Sequence, residues 1–245
     1  MKATEMDSAG CTALRLRLVL LCLFAFWAGT ACTPEKSVRP GINKSFLDPD
    51  LDVNEYLQRF ETEDREIFAH RDEIVKTINL KPGMTIADIG SGTGLFVVPF
   101  AKAVGQQGKV YAVDIAPGFI QHINKLVKEE RLENVVPVLC KEDSVELPIE
   151  SVDIAFICDT YHHFEYPNST MASLCRALRP GGQVVVIDFH RIEGVSSDWI
   201  LSHVRAGEEV FTAEIEAAGF REGQPTRQFL QQNYILRFVK IDVKE

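Results

Sequence analysis

Hydrophobic and polar positions follow two different rhythms through most of the chain, because short apolar runs alternate with stretches that have helical spacing. The runs typical of strands are Thr85–Ile89, Lys109–Asp114, Val135–Cys140, Val152–Cys158 and Gln183–Phe189. The helical stretches are Leu95–Val104, Pro117–Glu130, Ser169–Leu178 and Glu208–Ala218. A crossover between parallel strands needs a connection of helix length, so this alternation predicts βαβ units and an α/β domain with a parallel sheet.

Regions on either side of this alternation extend the predicted domain. From Asp52 to Ile78 apolar residues recur at helical spacing, and Asp52 with Glu55 has the spacing of a capping box. We therefore predict a helical segment over residues 51–80, ended by Lys81-Pro82-Gly83, before a domain over residues 81–245. The apolar run Tyr234–Ile241 predicts a further strand, which we expect to close the sheet as an antiparallel edge.

The first 32 residues are predicted to be a targeting segment outside the fold. Arg15 and Arg17 precede an uncharged run from Leu18, which is too short to span a bilayer comfortably. The small residues that end at Cys32 resemble the lipobox of bacterial lipoproteins, although Gly29 stands where that box usually has leucine. A lipoprotein signal, a plain signal or uncleaved anchor, and a mis-called start codon all remain open. The expected location is thus membrane-associated or exported, or cytoplasmic in the last case, and residues 33–50 are interpreted as a linker.

Composition and charge narrow the class of protein. The chain has 245 residues, 46% hydrophobic and 25% charged, which is ordinary for a globular protein and excludes a disordered or multi-span membrane chain. The net charge of −9 and the pI of 5.2 argue against binding along phosphate backbones. Three cysteines in the body, Cys140, Cys158 and Cys175, cannot all pair and are expected to be buried thiols.

A glycine-rich turn at the end of the first predicted strand carries the candidate chemistry. Asp88 to Gly94 reads Asp-Ile-Gly-Ser-Gly-Thr-Gly, and glycines there allow positive φ and close approach of a ligand. The dinucleotide pattern Gly-x-Gly-x-x-Gly fails because Leu95 stands at its sixth position, and no Gly-Lys-Ser/Thr follows for a P-loop. The pattern Asp-x-Gly-x-Gly-x-Gly resembles the first motif of class I S-adenosylmethionine (SAM)-dependent methyltransferases.

The resemblance extends from Lys81 to Tyr234 and is similar to the subgroup with quinone-biosynthesis C-methyltransferases. It implies a doubly wound, mostly parallel, seven-stranded Rossmann-like sheet with an antiparallel edge strand, and SAM as the cofactor. In the family the residue at Asp114 binds the ribose hydroxyls, the acid at Glu142-Asp143 accepts from the adenine amino group, and the residue at Ile115 packs on adenine. The residues assigned to the cofactor site are Asp88, Gly90, Ser91, Gly92, Thr93, Gly94, Asp114, Ile115, Asp143 and Asp159.

Two alternatives to this assignment stay open. The glycines could serve only a tight strand–helix turn, but that would not explain Asp88, Asp114 and Asp143 at successive strand ends, where they repel one another without a ligand. The domain could also keep the fold without catalysis, as an exported module that binds a nucleoside or a partner. The targeting segment favours this second alternative, since SAM is made inside cells.

The acceptor side is predicted to lie after the fourth and fifth strands. His162, His163 and Tyr161 are the candidate catalytic residues, as a base or to position the acceptor, and we expect at most one of the two histidines to face the methyl group. Each could instead hydrogen-bond the loop backbone. His190 is a weaker candidate, and His203 with Arg205 could contact an anionic acceptor. His162, His163 and Asp159 could bind a metal on residue type, but no metal is assigned, because no histidine or cysteine spacing specifies a site.

The expected acceptor is a small or lipid-like molecule. Asp159-Thr160-Tyr161-His162 is not the Asn/Asp-Pro-Pro-aromatic motif of methylases that resemble this family and act on amino groups of adenine or glutamine. Together with the acidic pI, this argues against a nucleic-acid acceptor. The segment before the first strand could form a lid over the acceptor, or could pack on the sheet with a charged outer face. Its candidate lid residues are Tyr56, Phe60, Arg65, Phe68 and Arg71.

Overall fold

The structure is a computed structural model that describes residues 35–241. The targeting segment assigned to residues 1–32 lies outside the described residues, so its interpretation stays a prediction. Residues 35–241 belong to one compact unit. Within the described range, no helix combines the length and the apolar character needed to cross a membrane.

A single mixed sheet organises the described chain. Its strands are β1 (Thr85–Ile89), β2 (Lys109–Asp114), β3 (Val135–Leu139), β4 (Val152–Cys158), β5 (Leu178–Phe189), β6 (Phe220–Glu222) and β7 (Asn233–Lys240). The spatial order is β3-β2-β1-β4-β5-β7-β6. Strands β1 to β5 pair in parallel, whereas β7 pairs antiparallel with both β5 and β6. The predicted fold class is therefore confirmed, and the short β6, which no sequence run indicated, lies outside β7.

Helices cover both faces of this sheet. They are α1 (Val53–Phe60), α2 (Glu66–Ala69), α3 (Arg71–Ile78), α4 (Val97–Val104), α5 (Pro117–Glu129), α6 (Pro167–Ala177), α7 (Asp198–His203) and α8 (Glu208–Ala217). All five residues of β1 are buried, as expected for a parallel strand with helices on either side. Alternate residues serve two cores: Ala87 and Ile89 pack in the cluster with α6 and α8, and Ile86 packs in the cluster with α3 and α4.

The single helix predicted from Asp52 to Ile78 is three helices in the structure. Asp52 caps α1 by accepting from the backbone N–H of Asn54 at 2.9 Å, so the predicted start is right. The helix ends at Phe60 because residues 61–64 are polar or charged and offer no apolar side chain to bury. Further along, α3 ends at Asn79, whose φ of 61° is left-handed. The predicted helical spacing was an average over three short segments.

The segment interpreted as a linker is fixed to the domain over residues 35–50, which corrects that interpretation. The buried Glu165 carboxylate accepts hydrogen bonds from Ser37 Oγ at 2.6 Å and from the Gly41 N–H at 2.9 Å. The side chain of the buried Asn43 donates to the carbonyl of His163 at 3.0 Å. The polar composition of residues 35–50 therefore reflects hydrogen bonds to the body of the protein. We call residues 35–50 the strap.

Candidate active site

A cavity of about 540 Å³ lies at the carboxyl ends of the parallel strands, the edge where ligands bind in open α/β sheets. Its floor is the glycine loop after β1 and the ends of β2 and β4. Its walls come from the strap, from α1, from the loop that precedes α6, and from α7 itself. The fold thus collects segments that are distant in sequence around one cavity.

The three glycines of the loop have different tasks, although all have positive φ. A Cβ on Gly90 would lie 2.3 Å from Thr160 Cγ2, so this glycine permits close packing on the segment after β4. A Cβ on Gly94 would meet Leu126 of α5 at 3.1 Å, and Gly94 does not line the cavity. At Gly92 the nearest atom to an added Cβ is 4.0 Å away. Gly92 is therefore the glycine that leaves open space for a ligand, while Ser91 and Thr93 beside it also line the cavity.

Asp114, at the end of β2, is held against this loop. Its two carboxylate oxygens accept hydrogen bonds from the backbone N–H groups of Gly92 and Ala116, each at 2.8 Å. Burial raises the pKa of Asp114 to about 6, and these hydrogen bonds limit the rise. Each oxygen keeps a further lone pair, so a pair of ligand hydroxyls could still be bound. Asp114 and Ile115 both line the cavity, as the resemblance implies.

Asp88, at the end of β1, is a buried acceptor that the described part of the chain leaves unsatisfied. Its Oδ2 atom is fully enclosed and has no hydrogen-bond partner among residues 35–241, yet the residue lines the cavity. Burial, and then the negative charge of Asp114, raise the pKa of Asp88 to about 8. An orphaned acceptor beside an open glycine is the environment that a ligand with donor or cationic groups would complete. The residues present therefore fit the cofactor implied by the loop.

Two acids assigned to the cofactor site do not occupy it as expected. Asp143 is exposed and does not line the cavity; its neighbour Glu142 does, because the turn between Lys141 and Ser144 directs the two side chains differently. Asp159 lies at the cavity but is engaged: its carboxylate accepts from Arg65 at 2.5 Å and from Asn233 Nδ2 at 2.6 Å. Asp159 therefore ties the segment after α1 to the sheet rather than offering a free acceptor.

Both predicted histidines, His162 and His163, line the cavity, and which of them faces the methyl group stays a prediction. The Nδ1 atom of His162 lies 2.7 Å from Asp188 Oδ1, and its backbone N–H donates to Asp188 Oδ2 at 3.1 Å. Asp188, at the end of β5, therefore fixes the ring and favours a proton on Nδ1, which leaves Nε2 as an acceptor. Nothing in the sequence pattern identified Asp188 as this partner.

A third histidine, His203 of α7, joins the pair. The Nε2 atoms of His163 and His203 are 3.3 Å apart, and the rings of His162 and His203 have centroids 5.1 Å apart. Burial, with neighbouring histidines and arginines, lowers the pKa of His163 to about 2 and that of His203 to about 4. Both rings are therefore neutral near pH 7.

The other acceptor-side candidates lie outside the cavity. Tyr161 is fully buried between Phe164 and Phe211, and burial raises the pKa of its hydroxyl, so it packs the core rather than serving as a base. Arg205 makes two hydrogen bonds with Glu214, at 2.8 and 2.6 Å. His190 also lies away from the cavity and contacts Tyr234 with its ring.

Aromatic side chains form most of the remaining wall, and most of them were missed by sequence reasoning. Of the candidate lid residues, Tyr56, Phe60 and Arg65 line the cavity, whereas Phe68 and Arg71 lie outside it. Trp199 stacks on His203 one helical turn away, with ring centroids 4.6 Å apart. Their i, i+4 spacing after the capping Ser197 was a signal for this helix. The aromatic residues that line the cavity are Phe46, Tyr56, Phe60, Phe96, Phe119, Phe164, Phe189 and Trp199.

Comparison with known proteins agrees with this geometry. A family model described as a methyltransferase domain matches residues 87–186. The Ubiquinone/menaquinone biosynthesis C-methyltransferase UbiE of Cupriavidus metallidurans is 30% identical over 118 residues, which are 46% of this chain and 46% of that protein. The chain thus spans about half the length of the curated relatives it matches.

Solved structures extend the likeness over more of the chain. A SAM-dependent methyltransferase from Aquifex aeolicus superposes with a TM-score of 0.69 and 25% identity, over 78% of this chain and 99% of that one. The [4+2]-cyclase SpnF shares the fold, with a TM-score of 0.54 and 20% identity, over 62% of this chain and 56% of that one. These likenesses support a class I SAM-dependent methyltransferase domain in this chain, with SAM as the cofactor that they indicate.

The buried acids predict how stability depends on pH. Because the pKa of Asp88 is raised from 3.8 to about 8, the folded protein retains a proton that the unfolded chain releases. This contribution is fully present below the unfolded pKa and is lost as the pH rises to about 8, so the free energy of unfolding without cofactor should fall from about pH 5 to about pH 8. Asp88→Asn should flatten this fall, as measured by urea unfolding at several pH values.

The exposed Asp143 provides the control for that measurement. Asp143→Asn changes the same functional group outside the cavity and should keep the pH dependence of the unmodified protein. An equal slope for Asp88→Asn and the unmodified protein would contradict the protonated state of Asp88.

Proposed function

We propose that this chain transfers the methyl group of SAM to a small, apolar, ring-containing acceptor. The observation that carries the proposal is the continuity of one cavity, in which the glycine loop and Asp114 stand at the floor and the histidines and aromatic rings form the wall. Donor and acceptor can therefore be held in contact and shielded from water by the same space.

The residues of the chain divide the work of such a reaction. SAM supplies an electrophilic methyl group on a sulfonium, which is already a good leaving group. The open face of Gly92 and the carboxylate of Asp114 would hold its nucleoside part, and Asp88 would accept a donor from it. His162 Nε2, with Nδ1 directed to Asp188, is placed to accept a proton from the acceptor.

The aromatic wall supports an apolar acceptor with a ring. Phe46, Tyr56 and Phe119 contact one another, with centroid separations from 5.2 to 6.2 Å, and present ring surfaces to the cavity. A flat ring can pack on such surfaces by offset or edge-to-face contacts. The curated relatives are named for ubiquinone and menaquinone biosynthesis, so a phenolic or quinol ring is the acceptor class that we propose.

A second candidate is a non-catalytic, exported module that binds a nucleoside or a partner. The sequence of the targeting segment favours it, since export would separate the domain from SAM made inside the cell. Binding of SAM without methyl transfer to any ring acceptor would favour this second candidate.

Binding of SAM is expected to depend on Asp114. Asp114→Asn removes the charge and part of the hydrogen bonding, which should lower the affinity for SAM by about 10- to 100-fold, as measured by calorimetric titration. Asp143→Asn is the matched control and should bind like the unmodified protein. The proposed placement of the cofactor would be wrong if the Asp143 variant lost affinity and the Asp114 variant did not.

Methyl transfer is expected to depend on His162. With radiolabelled SAM and a reduced prenylated naphthoquinone as acceptor, His162→Ala should lower kcat by about 10²- to 10⁴-fold and leave the affinity for SAM unchanged. Asp188→Asn should also lower kcat, because it removes the acceptor that orients the ring. His190→Ala, outside the cavity, is the control. Full activity of the His162 variant would exclude the proposed base.

We also propose that the chain is membrane-associated or exported through residues 1–32, with lipidation at Cys32 as the first form to test. Arg15 and Arg17 before the apolar run from Leu18 support this. In fractionated cells that express the full chain, we expect recovery with the membranes. Cys32→Ser should release the chain, and Cys22→Ser should not. Recovery of the unmodified chain from the cytosol would contradict this proposal and remove the main argument for the non-catalytic candidate.

A further inference from the structure

The cavity wall contains a cluster of three imidazoles that the proposed methyl transfer does not require as a group. One ring nitrogen from each of His162, His163 and His203 lies within 4.8 Å of the others. Two of these residues are adjacent in the chain, and the third is 40 residues away from His163 on α7. Three imidazoles that converge on a cavity are a ligand set for a first-row transition metal.

We propose that His162, His163 and His203 bind a divalent transition-metal ion such as Zn²⁺, with the remaining coordination position directed into the cavity. This proposal uses the same site as the proposed function but does not depend on SAM binding or on methyl transfer. An ion there would take one nitrogen from each ring and one oxygen ligand from water or from an acceptor.

The distance between two of the ligands already suits such an ion. Zinc bound to histidine has Zn–N distances of about 2.0–2.1 Å in a tetrahedron, so two ligating nitrogens are separated by about 3.3 Å. The Nε2 atoms of His163 and His203 are 3.3 Å apart. The same separation lies within hydrogen-bond distance, so in the metal-free protein one ring can donate to the other. A rotation of the rings within the 4.8 Å cluster would bring in the third nitrogen.

The hydrogen bond between His162 and Asp188 has the form found behind metal-binding histidines. Such ligands usually donate their second ring nitrogen to a carboxylate, which fixes the tautomer and raises the basicity of the ligating atom. His162 Nδ1 lies 2.7 Å from the fully buried Asp188, so Nε2 is the atom left for a ligand. By contrast, His163 Nδ1 has no hydrogen-bond partner among the described residues, so the second nitrogen of that ring lacks the support that Asp188 gives to His162.

The third ligand is also held in place. Trp199 stacks on the ring of His203 at an interplanar angle of 19°, and Arg39 of the strap donates to the carbonyl of His203 at 2.6 Å. The stacked indole and the hydrogen bond to the backbone together restrict movement of the His203 ring away from the other two histidines. A preformed ligand set loses less conformational freedom when an ion binds.

Some charged groups near the three histidines disfavour a bound cation, and another favours it. The guanidinium groups of Arg39 and Arg59 lie close enough to disfavour a cation electrostatically, whereas Asp188 behind His162 favours it. An ion that binds together with an anionic oxygen ligand, such as hydroxide or a phenolate, would balance the two arginines. Arg59 is exposed and Arg39 is not, so Arg59→Gln is the simpler test of this balance and should tighten metal binding.

The test uses the full chain after treatment with a chelator, without SAM or acceptor. We expect Zn²⁺ titration by calorimetry to show one equivalent bound with a Kd on the order of 1 μM. His203→Ala should weaken binding by at least about 10- to 100-fold. The variants His122→Ala and His190→Ala remove imidazoles outside the cluster and should bind like the unmodified chain.

Cobalt absorption separates this site from binding by cysteines. Co²⁺ bound to imidazoles and oxygen shows d–d bands without the thiolate charge-transfer band that a cysteine ligand would add. If His203→Ala does not fold, His203→Gln is measured by the same Co²⁺ absorption, and it should also weaken binding. Absence of binding to the folded unmodified chain, or binding that is unchanged in both His203 variants, would overturn the proposal.

Metal binding and proton acceptance exclude one another at His162, because Nε2 can hold either an ion or a proton. The two proposals nevertheless fail separately. Zn²⁺ binding without SAM binding would support the metal site and contradict the methyltransferase activity. SAM binding by a chain that binds no metal would contradict the metal site and leave the proposed methyltransferase activity supported.

Discussion

The constraint on which the site depends is the burial of several carboxyl groups at one edge of a parallel sheet. Four neighbouring strands each place an acid at or just beyond their carboxyl ends, in surroundings where a charged group loses most of its hydration. These residues are Asp88, Asp114, Asp159 and Asp188. Left uncompensated, their mutual repulsion and desolvation would oppose the fold, so each requires its own solution.

The solutions differ, and each one organises a different part of the cavity. Asp114 is compensated by backbone N–H groups, and so shapes the glycine loop. Asp159 is compensated by Arg65 and Asn233, and so attaches the segment after α1 to the start of β7. Asp188 is compensated by His162, and so sets the direction of that ring. Asp88 has an oxygen without a partner among the described residues, and burial raises its pKa to about 8, so we expect it to respond most to the cofactor.

Features that depend on residues close together in the chain could be predicted from the sequence, whereas features that depend on distant residues could not. The alternation of strands and helices and the acid at Asp114 are local or repeated signals, and the structure agrees with them. The choice between Glu142 and Asp143 depends on the orientation of a turn, which composition does not encode. The approach of His203 to His163 depends on how α7 packs over the sheet edge, and no spacing between distant residues reports it. Long-range packing therefore decided most of the acceptor side.

The cover of the cavity is attached by polar contacts as well as by aromatic contacts of Tyr56 with Phe46 and Phe119. No residue of α1 is buried, and the connection to the sheet is made by Arg65 to Asp159 and by Glu66, which accepts from the backbone of Gln232 at 2.9 Å. Water can replace the polar contacts when they break, which lowers the free-energy cost of opening, whereas separation of Tyr56 from Phe119 adds to it. We therefore expect ligands to enter and leave by local opening of this cover, while the sheet beneath it stays folded.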